Sequence, residues 1–332
     1  MKIDGAILIE DLAQVPGRVR ALEAAGYDGV VSAEIANDPF LPLALAAAHS
    51  ERIELMTSIA VAFARNPMLL AQTGHDLNSF SKGRMILGLG SQIRPHITRR
   101  FSMPWSRPAA RMREFILAMH AIWDCWYEGK QLAFQGDFYT HTLMTPGFTP
   151  KQLRHGRPRV LLAAVGPRMT EVAGEVCDGL IAHAFTTAAY MRQVTLPALE
   201  RGLATSGRSR QDFEITCPVF VVSGADEREF EARREALRKQ IAFYASTPAY
   251  RGVLELHGWG DLQPELTRMS KQGLWDEMGS LIDDEMLGAF AVVAEPHELP
   301  AKLHARCRGV VDRLMCTFAL GDDERERVAA LK

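Results

Sequence analysis

Eight short apolar segments recur along the 332-residue chain, and most of them are followed by a predicted helix. Strands of this apolar character that alternate with helices are typical of a parallel sheet covered on its outside. Eight is also the number of strands that closes a (β/α)8 barrel. The pattern therefore predicts an α/β TIM barrel with insertions, and a doubly wound open sheet is the alternative. The predicted strands are residues 3–8, 27–32, 53–61, 84–90, 159–164, 179–183, 213–222 and 310–318.

The clearest helix lies between the fourth and fifth predicted strands. Apolar side chains from Met112 to Trp126 recur at helical spacing and form one continuous stripe. Residues 133–139 then form a predicted excursion outside the main sheet. The residues that a plain barrel does not need lie mainly in a predicted helical insertion at about 226–296. Because no linker or charge block marks a boundary, we expect a single domain over residues 1–332.

Composition excludes several classes of function. The 38 Lys and Arg residues nearly balance the 40 Asp and Glu residues, so the net charge of −2 provides no general attraction to nucleic acid or anionic membranes. Five irregularly spaced cysteines without a CxxC pair argue against disulfides or structural zinc. No metal-binding spacing of histidines and carboxylates occurs. The N-terminus lacks a signal-peptide core and no apolar run reaches a membrane span, so we expect a cytoplasmic protein.

In a barrel, the active site lies at the carboxyl ends of the strands, so the residues there are the candidates. Glu34 follows the second strand and is either a catalytic acid or a residue that orients the next turn. His183 ends the sixth strand and is either a proton donor or a satisfied structural residue. Gly88 and Gly90, followed by Ser91, either let a flat ring or phosphate approach the backbone or form a tight turn. They are not a dinucleotide fingerprint, because the third glycine is missing.

Two further features of the sequence are candidates for binding an anion. Gly166 and Arg168 flank the proline that opens a helix after the fifth strand, where free amides and the helix dipole favour an anion; an ordinary helix start is the alternative. A predicted long loop over the barrel mouth, within residues 94–113, favours capture of an anionic cofactor tail or substrate. In the alternative, the loop is merely solvated, with its last two arginines on the exposed side of the next helix. The arginines are Arg94, Arg99, Arg100, Arg107, Arg111 and Arg113.

Six segments, in this order, resemble the luciferase-like flavin-dependent oxidoreductase superfamily, whose members have a (β/α)8 barrel. Within it, DPFLPLALAAAHSERIEL and IAFYASTPAYRGVLELHGWGDL are most similar to a branch that uses the deazaflavin coenzyme F420. The resemblance implies a redox enzyme for a small organic substrate, with F420 or alternatively FMN as cofactor, and a homodimer. The six segments are EAAGYDGVVSAE, ELMTSIAVAFARNPMLLA, LNSFSKGRMILGLGSQ, RMREFILAMHAIW, FQGDFY and VLLAAVGPRMTEVAGEVCDG.

The resemblance also implies where the cofactor binds. In the family, the tricyclic ring leans on a bulge at the end of strand three that often contains a non-prolyl cis peptide, and Ser58 and Ile59 match that bulge. The glycines of the fourth strand and Ser91 match the turn beside the ring. The family's phosphate contacts lie at the end of strand five and the start of the next helix. They match Ala164, Val165, Gly166 and Arg168.

Two positions depart from other branches of the superfamily. Sugar-phosphate dehydrogenases carry a His after the strand-two acid and a Glu after the strand-four glycines, where this chain has Ile35 and Ser91. Monooxygenases often carry the same His. The acid–base pair of those reactions is therefore missing, and Glu34 is the remaining catalytic candidate. The functions left open are hydride transfer with F420, an FMN-dependent monooxygenase, and a non-catalytic flavin-binding or interaction protein.

Overall fold

A computed structural model describes residues 1–8, 11–316 and 324–332. Each barrel strand pairs in parallel with the next along the chain, and the last strand pairs with the first. The third and fourth strands pair through Leu55 and Met85, which closes the cylinder. The predicted TIM barrel is confirmed, and the open sheet is excluded. The strands are β1 (Lys2–Ala6), β2 (Gly29–Ser32), β3 (Glu54–Thr57), β4 (Met85–Gly90), β5 (Arg159–Ala164), β6 (Gly179–Ala182), β7 (Glu214–Pro218) and β8 (Arg313–Cys316).

Helices cover the outside of the barrel, and the apolar stripe predicted at 112–126 is buried along one of them. A short helical turn at Ala188–Tyr190 and a π-helical turn at Met191–Thr195 lead into the helix after β6. The helices are α1 (Val15–Ala25), α2 (Phe40–Ala48), α3 (Pro67–Phe80), α4 (Pro108–Glu128), α5 (Pro167–Val176), α6 (Leu196–Ser206), α7 (Glu227–Ala245), α8 (Arg251–Leu256), α9 (Leu262–Lys271), α10 (Trp275–Met278), α11 (Asp284–Phe290), α12 (Leu299–Cys307) and α13 (Glu324–Leu331).

The third and seventh predicted strands are each divided in two, because the chain leaves the barrel ladder partway along them. The third breaks after Thr57 and resumes at Ala60–Val61, which pairs with the end of β4. The seventh ends at Pro218, and Phe220–Val222 pairs instead with Ala291–Val293 in a separate parallel sheet. Residues 317–318, the predicted end of the eighth strand, lie outside the described residues. The excursion is a small antiparallel pair, Phe134–Gln135 with Thr140–His141.

Helices α7 to α11 form the insertion between β7 and β8. Their apolar side chains, among them Ile241 and Phe290, pack in a cluster that includes Phe185 and Phe220. Since Phe185 follows β6 and Phe220 follows β7, the insertion lies against the carboxyl ends of these strands. It therefore borders the end of the barrel at which an active site is expected. The description of the whole chain as one domain stays a prediction.

The barrel interior changes from apolar to charged toward the amino ends of its strands. Its central layer is apolar and includes Met56, Ile181 and Met315. Below this layer, the fully buried Arg313 pairs with Asp4 at 3.0 Å and Glu214 at 2.9 Å, and it also contacts Glu54. The two terminal nitrogens of Arg313 donate to Glu214 and Glu54, whereas its Nε faces Asp4 as an ion pair without a hydrogen bond, so this buried charge is held by paired carboxylates. This charged layer is structural, because it lies at the end of the barrel opposite to the strand carboxyl termini.

The charged layer predicts a pH dependence of stability. Burial raises the pKa of Asp4 to about 7, although Arg313 opposes the shift. The folded state then binds the proton more tightly than the unfolded state, so this group contributes less stability as the pH rises from about 4 to 7. The Asp4→Asn variant has no carboxyl group to ionise at this position, so its stability does not decrease with pH for this reason. We expect the free energy of unfolding of Asp4→Asn, relative to wild type, to increase over this window and level off above it. Urea unfolding at several pH values measures the difference; a pH-independent difference would contradict the assignment.

Candidate active site

The break in β3 forms a bulge at the barrel mouth. The peptide bond between Ser58 and Ile59 is cis. Strand β2 holds the bulge on both sides: the Ser58 amide donates to the Ser32 carbonyl at 2.7 Å, and the Glu34 amide donates to the Ile59 carbonyl at 3.2 Å. The Ser58 hydroxyl donates to Sδ of Met315 at 3.3 Å. The bulge is therefore a defined and braced surface at the carboxyl end of the barrel.

Glu34 braces the same bulge with its side chain. Its Oε2 accepts from the Val61 amide at 2.7 Å and from Nη1 of Arg65 at 2.5 Å, and the side chain is only 8% exposed. Arg65 also packs over the Phe40 ring, with 5.4 Å between the guanidinium carbon and the ring centroid. Glu34 thus orients the chain after the bulge, and its predicted catalytic role stays a prediction. Sequence reasoning missed Arg65, which lies four residues after the end of the third predicted strand.

The two glycines of β4 lie within the strand, so the interpretation as a strand-to-loop turn was wrong. A Cβ on Gly88 would lie 1.8 Å from the Thr57 carbonyl oxygen, and one on Gly90 would lie 2.8 Å from Cδ1 of Ile59. The Thr57 hydroxyl bonds to both the amide and the carbonyl of Gly88. These glycines therefore make room for the bulge. Ser91, which follows Gly90, is half-buried, and its hydroxyl donates a hydrogen bond to the Gln92 carbonyl at 3.1 Å.

The start of α5 is open. Gly166 is the N-cap residue, with extended backbone (φ −84°, ψ 156°), and a Cβ there would meet nothing within 4 Å. Its carbonyl accepts from the amide and hydroxyl of Thr170. The amides of Arg168 and Met169 have no intrahelical partner, and the Arg168 side chain is exposed. Ala164 ends β5 and Val165 connects it to this helix start, so all four predicted phosphate contacts are contiguous.

The arginine-rich segment after β4 is more ordered than predicted. It contains a π-helical turn at His96–Arg100 with Ile97 buried, where a loop without helical period was expected. The alternative that placed Arg111 on the exposed side of α4 was wrong, because this side chain is only 6% exposed. Its guanidinium donates to the Tyr139 hydroxyl at 2.8 Å and to the Pro104 carbonyl at 2.5 Å, so it holds the segment against the barrel.

The other arginines of this segment are exposed. Arg100 donates to the carbonyl of Ile35, which is itself 66% exposed. Arg107 pairs with Asp137 at 3.0 Å, and Arg113 pairs with Glu175 at 2.6 Å. Arg94 and Arg99 form no ion pair within the part of the chain that the structure describes, and both side chains are exposed. A cationic rim therefore borders the mouth beside β4.

His183 follows β6 and meets two tyrosines of the insertion. Its Nδ1 accepts from the Phe185 amide at 3.0 Å, which places the proton of the neutral ring on Nε2. The Tyr244 ring contacts it edge-on and the Tyr250 ring is tilted against it, each with 4.8 Å between centroids. Burial lowers the pKa of His183 to about 4, and burial with Tyr244 raises that of Tyr250 to about 12. The side chains of His183 and Tyr250 are thus neutral at neutral pH.

Sequence reasoning gave the tyrosines no role, although they lie in the segment most similar to the F420 branch. Nothing in the local pattern indicates that residues about 60 positions after β6 would return to its end. Among the described residues, no cluster of histidines, cysteines and carboxylates could hold a metal ion, and no helix is long and apolar enough to cross a membrane. All five cysteines are free thiols.

Comparisons with known proteins identify the family. The family model of the luciferase-like monooxygenases matches residues 3–313. An uncharacterised protein of Mycobacterium tuberculosis is 57% identical over 324 residues, 98% of this chain and 95% of the relative. The 5,10-methylenetetrahydromethanopterin reductase of Archaeoglobus fulgidus is 24% identical, covering 93% of this chain and 91% of the reductase.

Solved structures share the fold. The coenzyme F420-dependent tetrahydromethanopterin reductase of Methanopyrus kandleri has a TM-score of 0.78 at 20% identity, over 99% of this chain and 96% of that one. A type II Baeyer–Villiger monooxygenase of Pseudomonas putida, in complex with FMN, has a TM-score of 0.65 at 15% identity. The match covers 95% of this chain and 91% of that one. The chain belongs to the luciferase-like monooxygenase family. It is an oxidoreductase of that family, and the solved structures that share its fold include a coenzyme F420-dependent reductase and a monooxygenase in complex with FMN.

Proposed function

We propose that this protein transfers a hydride between coenzyme F420 and a small organic substrate. The observation that carries the proposal is the joint placement of the Ser58–Ile59 bulge and the open start of α5 at one end of the barrel. The F420-dependent relatives support the choice of a deazaflavin. A homodimer and a cytoplasmic location also remain predictions.

The residues at this end fit a phosphorylated ring cofactor. The free amides of Arg168 and Met169 and the cationic side chain of Arg168 are the donors that a phosphate requires. Gly166 contributes open space, since no atom lies within 4 Å of the position of a Cβ. These residues would hold the phosphate, and Ser58 and Ile59 would support one face of the ring.

The remaining residues set the geometry of the site. When bound, F420 supplies two-electron hydride chemistry, because the carbon at its reactive position does not readily activate oxygen. Glu34 and Arg65 hold the bulge in place, and Gly88 and Gly90 leave room for it beside β4. The insertion covers part of the mouth with Tyr250 and its apolar neighbours.

Titration of the purified protein with each cofactor tests the proposal. We expect micromolar binding of F420, measured by its fluorescence, and weaker binding of FMN. Oxygen consumption with reduced FMN, without F420 binding, would favour the monooxygenase instead. If neither cofactor binds at micromolar concentration, the non-catalytic interaction protein becomes the better hypothesis.

The cationic rim predicts which cofactor is preferred. F420 carries an anionic tail beyond its phosphate, and FMN does not. Arg94 and Arg99 are exposed without an ion pair in the described ranges, so they are available to such a tail. We expect Arg94→Gln/Arg99→Gln to weaken F420 binding roughly five-fold at low salt, the size of two exposed charge contacts. FMN binding should not change, and 0.5 M salt should remove the difference.

The control is a double variant that loses the same charge elsewhere. Arg20→Gln/Arg325→Gln alters two exposed side chains on α1 and α13, away from the rim. It should bind F420 like the wild type. Equal weakening by both double variants would indicate a general charge effect and contradict a role for the rim.

A further inference from the structure

His183 lies on the inner face of the barrel rim. Side chains alternate along a strand, so His183 shares the face of Ile181, which belongs to the interior apolar layer. Ile181 reaches Gly88, because a Cβ on that glycine would lie 2.7 Å from its Cδ1. His183 therefore stands one layer above the apolar layer to which Ile181 belongs.

The orientation of the imidazole is determined by its neighbours. The Phe185 amide occupies Nδ1 at 3.0 Å, and the rings of Tyr244 and Tyr250 flank the imidazole. The Nε2 atom, which carries the proton, makes no hydrogen bond within residues 1–8, 11–316 and 324–332. A donor that is held rigidly and left without an acceptor is available to a ligand.

The side chains around His183 indicate what kind of atom would accept a hydrogen bond from its Nε2. Burial alone accounts for the lowered pKa of His183, so no charged side chain acts strongly on the ring. An anionic substrate atom would lose its hydration there without gaining a cation, whereas a neutral oxygen gains a hydrogen bond. The aromatic rings of Tyr244 and Tyr250 suit an apolar or planar body attached to that oxygen.

We infer that His183 is a substrate-contacting residue whose Nε2–H donates a hydrogen bond to the oxygen of an uncharged carbonyl compound lying against Tyr244 and Tyr250. The inference rests on the proposed function for the source of the hydride. As the carbonyl carbon gains hydride from the reduced deazaflavin, the C–O π pair moves to oxygen. The hydrogen bond stabilises the charge that develops there. The oxygen takes its proton from solvent, and His183 keeps its own.

Nuclear magnetic resonance of the ¹⁵N-histidine-labelled full chain tests the donor without any cofactor. At pH 7 we expect a neutral His183 with the proton on Nε2. A charged ring, or a proton on Nδ1, would overturn the inference. This measurement uses the wild-type protein and is therefore independent of how a variant folds.

Two probes of the same shape test the acceptor. Acetophenone has a carbonyl oxygen where α-methylstyrene has a methylene group. We expect the wild type to bind acetophenone on the order of five-fold more tightly, the size of one net hydrogen bond. His183→Phe should bind both equally, and His183→Asn provides a second variant if the first is unstable. His155→Phe, at an exposed histidine before β5, should keep the wild-type preference.

Equal binding of both probes to the wild type, or a preference that survives in the folded His183 variants, would overturn the inference. The F420 titration is separate from this experiment. A protein that shows the His183-dependent preference but does not bind F420 would contradict the proposed function and leave the carbonyl contact standing.

Discussion

Gly166→Asp is expected to abolish cofactor binding while the protein remains folded. Aspartate is a favoured N-cap residue, and the extended backbone at this position accepts any side chain. Its carboxylate would bond to the amides of Arg168 and Met169, the donors proposed for the phosphate, and would add a repelling charge. Loss of two charge-assisted hydrogen bonds corresponds to a decrease in affinity of about a hundred-fold or more. Fluorescence titration with F420 measures the loss, and thermal unfolding should show equal or higher stability.

Two matched variants separate charge from shape. Gly166→Ala adds only a methyl group in open space, so it should bind the cofactor nearly as well as the wild type. Gly166→Asn also caps the amides but is neutral, and an intermediate affinity is expected. If Gly166→Asp binds F420 normally, the start of α5 is not part of the cofactor site.

Gly88→Ala is expected to cause the largest loss of stability of these variants. The new Cβ would lie 1.8 Å from the backbone oxygen of Thr57, and backbone atoms cannot move aside as a flexible side chain can. Strands β3 and β4 would have to separate where the Thr57 hydroxyl bonds to Gly88. We expect a loss of about 3 kcal/mol or more in the free energy of unfolding, at the upper end of overpacking effects. Urea denaturation measures it.

Gly288→Ala is the control for this variant. Gly288 is exposed on α11, and a Cβ there meets nothing within 4 Å. Alanine in a helix is more favourable than glycine, so a gain of about 0.5–1 kcal/mol is expected. A Gly88→Ala protein with wild-type stability would show that the contact between β3 and β4 is looser than the structure indicates.

Several parts of this site were predicted from the sequence for sound physical reasons. The Ser58–Ile59 bulge came from the family resemblance, and the helix start at Gly166 came from a proline directly after a predicted strand. Such features are encoded within a few consecutive residues. The position of Glu34 at the mouth was also predicted, but its contact with Arg65 was not, because the partner lies on another strand-to-helix connection.

Errors arose where a residue's environment depends on distant parts of the chain. One of the two interpretations placed Arg111 on the outside of α4, yet Arg111 is buried and donates to Tyr139 and the Pro104 carbonyl. Gly88 and Gly90 were assigned either to a tight turn, which was wrong, or to the approach of a ligand, which stays a prediction. Their contacts with Thr57 and Ile59 depend on the neighbouring segment of the sheet. Local periodicity describes which residues share a face, and it does not state what that face meets.

The sequence by itself determined the eight-fold alternation of strand and helix, the closed barrel it predicts and the family to which the chain belongs, because periodicity and motif order are local properties. Only the tertiary structure decided which side chains meet. Closure of the barrel brings Asp4 to Arg313, and folding of the insertion brings Tyr244 and Tyr250 to His183. These contacts join residues far apart in the chain, and they depend on strand register and packing, which no single segment encodes.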